Sequence, residues 1–305
     1  MKNSNRKIII ILLLFFIGFI LSPSIAFQGA TTGLVLWALK VLPALFPAML
    51  ITSCMMQLLP SESKFAYGYM ILSGIFCGYP VGAFSCAQYH LSHPNETLCQ
   101  KIMGYCNISG SAFVINYIYY HFMQSHIPLW KLMLIIYIPP ILLLCIVLLR
   151  SFMQIKKEKS GSNLSKQSIK VTVPDKNPHQ DFAEIFYIGV NTAVENSLKL
   201  GGYIVFFSCL SNYFIYIFSN HHMISVILCG ITEITSGIQI ISESMLSPML
   251  TLILICAVNA FGGLSTIMQT FAVINKSGLS IKKYIYQKLL ITTITIMTAT
   301  ALIYV

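Results

Sequence analysis

The chain has 305 residues, 56% of them hydrophobic and only 9% charged, with a mean hydropathy of +0.76. Soluble domains carry roughly 25% charged residues, so the composition excludes an ordinary soluble domain and indicates a polytopic membrane protein. The formal charge of +10 sits in short loops between apolar runs, where it reports topology rather than a nucleic-acid-binding face.

In chain order, Lys2, Arg6 and Lys7 precede an apolar run over residues 8–21. This run reads as a retained membrane helix or signal anchor, although Ser24-Ile25-Ala26 also resembles a cleavage site. Residues 33–59 form the next apolar stretch, kinked by Pro43 and Pro47 and carrying Lys40 as its single charge. Residues 65–90 contain Ser73-Gly74-Ile75-Phe76-Cys77-Gly78-Tyr79-Pro80-Val81-Gly82-Ala83. Gly78, Pro80 and Gly82 predict a helix broken inside the apolar run, tolerable in a membrane only where protein or a wet cavity satisfies the freed backbone. Residues 100–122 hold Asn107-Ile108-Ser109-Gly110-Ser111, residues 129–149 read as a plain span, and residues 150–180 hold seven basic residues against Glu158 and Asp175. Apolar stretches then recur at 182–219, 222–245, 249–274 and 284–304. The nine cysteines are scattered without a Cys-x-x-Cys pair, which suits packing residues rather than a disulfide or metal framework.

The halves show the same order of motifs. Leu39-Lys40-Val41 matches Leu198-Lys199-Leu200, Gly78-Tyr79-Pro80 matches Glu233-Ile234-Thr235, and Asn107-x-x-Gly110 matches Asn259-x-x-Gly262. The basic N-terminus, the 150–176 linker and the Lys276–Lys288 region should all be cytoplasmic. That parity requires one re-entrant element per half and makes the halves inverted relative to each other, as in many secondary transporters. The expectation is therefore an all-α membrane protein of about eight elements in two inverted repeats with broken or re-entrant helices. Its parts are an N-terminal membrane helix (1–27), a first repeat (28–150), a basic cytoplasmic linker (151–181) and a second repeat (182–305).

Among polar groups in apolar surroundings, Glu233, flanked by Thr235 and Ser236, stands out. A carboxylate there is costly unless protonated, paired or hydrated, and its roles as proton carrier, Na⁺ ligand or solute ligand all remain open. Asn107 with Ser109, and Asn259 with Gly262, Gly263 and Ser265, occupy matching positions. Half-helices starting there would turn backbone N–H groups and positive helix ends toward an anionic or polar solute; close helix packing through small residues is the competing reading. Glu195 precedes Lys199 by four residues, equally a structural ion pair or a functional carboxylate. The sequence contains no His-Glu-x-x-His, Gly-x-Ser-x-Gly or Walker loop, and no aspartate in an apolar stretch. It therefore reads as a non-enzyme that needs no cofactor beyond a coupling H⁺ or Na⁺.

Several segments taken together resemble a known family. These are Leu-Trp-x-x-x-Val-Leu-Pro-x-Leu-Phe-Pro at 36–47, Ser-Gly-x-x-x-Gly-Tyr-Pro-x-Gly-Ala at 73–83, Val-Glu-x-x-Leu-x-x-Gly-Gly at 194–202, Glu-Ile-Thr-Ser-Gly at 233–237 and Phe-Gly-Gly-Leu-Ser at 261–265. The set resembles the sporulation integral membrane protein YlbJ (SpoVV) family of nucleoside-recognition, or Gate-domain, membrane proteins. The resemblance implies a carrier moving dipicolinic acid from the mother cell across the outer forespore membrane of a spore-former. The wider relatives imply a nucleoside-type solute instead, and a non-transporting sporulation assembly or signalling protein is a third expectation. By position, the implied solute-site residues are Tyr79, Pro80, Gly82, Asn107, Ser109, Glu233, Thr235, Ser236, Gly262, Gly263 and Ser265. The partners are then an anionic solute and membrane lipid, with no nucleic acid, and a homo-oligomer fits the same reading. In one departure from the family pattern, Gly110-Ser111-Ala112 stands where a proline is expected.

Overall fold

The computed structural model describes residues 3–58, 64–93, 97–161 and 181–303, and among them regular structure is helical throughout. Most of the expected linker, residues 162–180, lies outside the described residues. Four helices are long and apolar enough to cross a membrane: Leu129–Ser151, Phe182–Ile217, Pro248–Ile274 and Ile281–Leu302. A fifth span results if Phe15–Leu21 and Pro23–Val41, bent by 108° at their junction, count as one.

The N-terminal helices are α1 (Asn3–Leu21) and α2 (Pro23–Leu36), so the break falls at Ser22, where the first apolar run ends. Pro23 starts α2 where a missing N–H costs nothing. The Tyr213 hydroxyl lies 3.0 Å from the Gly18 and Ser22 carbonyls at this break, beside the backbone bonds that the Ser22 N–H gives the first and the Ile25 and Ala26 N–H groups give the second. A π-helical turn, Trp37–Val41, joins α2 to α3 (Leu42–Leu58). It sits just before Pro43, whose ring would clash with the carbonyl four residues back in a regular helix. This α2–α3 arm runs antiparallel along α9 (Phe182–Ile217). Small residues permit the close approach: a Cβ on Gly29 would stand 2.7 Å from Cys209 Cα, and one on Gly201 would stand 2.6 Å from the Trp37 ring. The Trp37 indole N–H donates to the Ser197 carbonyl at 3.1 Å.

Between these arms come α4 (Lys64–Cys77), α5 (Val81–Ser92), α6 (Leu98–Cys106), the short α7 (Ser111–Phe113) with a π-helical continuation over Val114–Met123, and α8 (Leu129–Gly161). The last extends 11 residues into the stretch read as linker. After α9 follow α10 (His222–Thr232), α11 (Ile234–Ser242), α12 (Pro248–Phe261), α13 (Gly263–Ile274) and α14 (Ile281–Ile303).

Four breaks interrupt these helices at the motifs singled out above. Gly78 ends α4 at φ +81°, with Tyr79 and Pro80 in the turn. Residues 107–110 separate α6 from α7. Glu233 is extended (φ −147°, ψ 133°) between α10 and α11, and Gly262 and Gly263 lie at φ +84° and +77° between α12 and α13. Only glycine takes such positive φ values without strain.

The breaks cross in pairs. A Cβ on Gly78 would stand 2.8 Å from Gly110 Cα, and one on Gly263 would stand 3.1 Å from the Thr232 carbonyl oxygen and 3.2 Å from the Glu233 nitrogen. The pairs meet at Gly262, where a Cβ would come within 3.3 Å of the Tyr79 ring.

Candidate solute-binding site

Where the breaks meet, polar side chains from α6, α8, α12, α13 and α14 surround Tyr79. Asn107, fully buried at the end of α6, is held on three sides. Its amide donates to the Thr270 hydroxyl at 2.9 Å and the Tyr284 hydroxyl at 3.0 Å, and its oxygen accepts from the Ala83 N–H at 3.3 Å. It thus supplies an acceptor to the first turn of α5, which begins just after Pro80. The next polar residue, Ser109, donates to Asn259 Oδ1 at 2.6 Å and accepts the Tyr137 hydroxyl on its carbonyl at 2.9 Å. Asn107 and Ser109 therefore bind the first half of the chain to α12, α13 and α14.

Tyr79 is the pivot. Its hydroxyl donates to the Asn259 carbonyl at 3.4 Å and accepts from Lys288 Nζ at 2.5 Å. The ammonium also stands 4.7 Å from the centre of the Tyr79 ring, within cation–π range. Pro80 and Gly82 shape the same place. The Pro80 carbonyl accepts from the Phe84 N–H at 2.9 Å, starting α5. A Cβ on Gly82 would stand 2.6 Å from the Cys106 carbonyl oxygen and 3.0 Å from Asn107 Cα.

Glu233, with 2% of its surface exposed, is the one buried carboxylate among the described residues. Its Oε2 accepts from the Ser236 N–H at 2.8 Å, the Ser236 hydroxyl at 3.0 Å and the Thr235 hydroxyl. These donors belong to the first turn of α11, so Glu233 is the N-cap of that helix, where a negative charge also meets the positive helix end. Thr235 and Ser236 serve that cap. The Thr235 carbonyl accepts from the Tyr117 hydroxyl at 3.1 Å, and Lys40 lies 5.6 Å from the centre of the Tyr117 ring.

Other residues read from the sequence stand apart. Glu195 pairs with Lys199 at 2.5 Å on an exposed face of α9, which makes it an ordinary i,i+4 ion pair. Ser265 is buried, yet its recorded partner is Gln269, one turn along α13, at 3.0 Å. Gly262 and Gly263 act through their backbone, allowing the close approach to Tyr79, Thr232 and Glu233.

The sequence reading missed Lys288, Tyr284, Thr270 and Tyr137. Lys288 counted there as a cytoplasmic charge of the 276–288 region, but it is fully buried within α14 and marks no surface loop. The missed signal is spacing: Tyr284, Lys288, Ile291 and Thr295, all buried, recur at three- and four-residue intervals on one face of α14.

Chemically the site is a buried, donor-rich junction of broken helices that holds two asparagine amides, three tyrosine hydroxyls and one ammonium. Comparisons with protein-family models, with curated proteins and with solved structures return no match.

Proposed function

We propose that the chain is a secondary transporter of a small organic anion, dipicolinic acid, acting at the outer forespore membrane of a spore-forming bacterium. One observation carries the transport reading: two pairs of crossed helix breaks converge on a polar cluster, packed among four helices long and apolar enough to span a membrane. Irregular backbone of this kind is tolerated at membrane depth where it is buried in protein or lines a water-filled cavity, and transporters place their solute sites at such breaks. The family resemblance of the quoted motifs supplies the choice of dipicolinate and of the forespore membrane. A nucleoside-type solute is the second reading, favoured by the neutral hydrogen-bonding pair Asn107 and Asn259.

The order of elements supports two inverted repeats. A helix broken at Gly78, a second broken at 107–110 and the long α8 are followed later by a helix broken at Glu233, a second broken at Gly262 and the long α14. In this reading about eight elements enter the membrane, the shorter broken helices from opposite sides, and solute passes at their crossing. Glu233, a buried carboxylate beside the crossing, is the group through which a coupling H⁺ or Na⁺ would act.

Dipicolinate content of spores from a deletion strain tests the reading. It predicts dipicolinate-poor spores, rescued by the wild-type gene and not by Glu233→Gln. Normal dipicolinate in the deletion strain would leave the non-transporting assembly role as the better account.

A further inference from the structure

Lys288 is a buried cation without an anion. Its Nζ donates to the Tyr79 hydroxyl at 2.5 Å, which uses one of the three donors an ammonium carries. Among the described residues, the ion pair recorded is Glu195–Lys199 on α9, and no carboxylate stands within ion-pair distance of Lys288. A lysine inside a membrane protein that lacks a counter-charge ordinarily marks a functional path.

A second unfilled donor belongs to a residue that bonds the same hydroxyl. Asn259 is 1% exposed, and its Oδ1 is taken by the Ser109 hydroxyl at 2.6 Å. Its Nδ2 is buried without a partner. Tyr79 donates to the backbone carbonyl of this same residue at 3.4 Å, so Lys288 and the residue that carries the unpartnered amide both bond the Tyr79 hydroxyl. Buried donors are nearly always satisfied in folded proteins, and here the Asn259 amide has no acceptor while the Lys288 ammonium has filled one of its three donors and lacks a counter-charge. A neutral carbonyl would satisfy the amide and leave the ammonium uncompensated. A carboxylate, with its charge spread over two oxygens, satisfies both.

We propose that Lys288 and the Asn259 amide form the carboxylate-recognising subsite, with Tyr79 holding the ammonium in place. The proposal rests on the organic-anion reading above and names the charge that reading needs. It leaves Glu233, which caps its own helix, outside the recognition of the anion.

The test is calorimetric titration of the full-length protein in lipid nanodiscs with pyridine-2,6-dicarboxylate and, separately, its uncharged diamide. Wild type should prefer the dicarboxylate. Lys288→Met, which keeps the length and removes the charge, should weaken dicarboxylate binding roughly ten- to a hundredfold, the worth of a charged hydrogen bond, and leave the diamide nearly unchanged. Tyr79→Phe removes the hydroxyl that positions the ammonium and should lower dicarboxylate binding in the same direction but by less, whereas a purely structural Lys288 would make Lys288→Met weaken both ligands alike, which would refute the subsite.

Asn259→Asp gives an independent check that does not depend on Lys288→Met folding. A carboxylate built into the subsite should raise the unfolding temperature and abolish dicarboxylate binding, and retained binding there would overturn the proposal. If wild type binds the dicarboxylate and Lys288→Met binds it equally well, the subsite is refuted and the transport reading survives. If wild type fails to bind the dicarboxylate, both fall.

Discussion

Gly82→Ala perturbs the site without touching a polar group. The new Cβ would lie 2.6 Å from the Cys106 carbonyl oxygen, 2.8 Å from its carbon and 3.0 Å from Asn107 Cα. All three are backbone atoms, so no side chain can swing aside. Reaching ordinary van der Waals contact at 3.4 Å requires the end of α6 and the start of α5 to separate by ~0.8 Å. Overpacking of this kind costs about 1–3 kcal/mol, more than the ~0.5–1 kcal/mol that alanine contributes over glycine in a helix. The displacement falls on Asn107, whose amide bonds measure 2.9 and 3.0 Å; lengthened by ~0.8 Å they would no longer be hydrogen bonds. Gly68→Ala on α4 is the control, because a Cβ there meets nothing within 4 Å. Thermal unfolding in detergent should therefore show Gly82→Ala destabilised and Gly68→Ala unchanged or slightly stabilised, with dipicolinate uptake impaired in the first variant alone. Equal behaviour of the two variants would refute the claim that close backbone approach at Gly82 positions Asn107.

Substitutions at three other positions separate structural from functional roles. Asn107→Ala leaves the Thr270 and Tyr284 hydroxyls and the Ala83 N–H without their partner, and at about 1 kcal/mol or more for each such group it should lower stability by ~3 kcal/mol in denaturant unfolding. Glu233→Ala removes the α11 cap and should lose ~1 kcal/mol, whereas Glu233→Gln keeps a capping oxygen, should unfold near the wild-type temperature, and should lose uptake through the charge alone. Glu195→Gln breaks only an exposed ion pair and should leave both the unfolding temperature and uptake at wild-type levels; a clear loss of uptake would return Glu195 to the site.

The breaks were legible because glycine and proline act locally. Gly78, Pro80, Gly262 and Gly263 interrupt apolar runs whatever lies around them, and the structure breaks at those places. That Asn107 and Asn259 would meet through Ser109 could not be read from either residue alone. It depends on two helix crossings that bring together positions 150 residues apart.

Lys288 was obscured by its neighbours. Lys282 and Lys283 are exposed at the start of α14, and a run of nearby lysines reads as a surface loop until the helical face is followed from Tyr284. Glu233 was legible as an unusual carboxylate, but not as an N-cap. The Thr-Ser pair at 235 and 236 that suggested a polar site is the same feature that caps the helix. The π-helical turn before Pro43 shows the same limit, since the sequence locates the disturbance and packing against α9 decides its form.

Uptake of labelled dipicolinate into liposomes reconstituted with the purified full-length chain tests the central claim most directly. The account predicts saturable accumulation above protein-free liposomes, competed by unlabelled dipicolinate and not by nucleosides, and lost in Lys288→Met. Accumulation no greater than in protein-free liposomes, from protein that is folded and inserted, would contradict it.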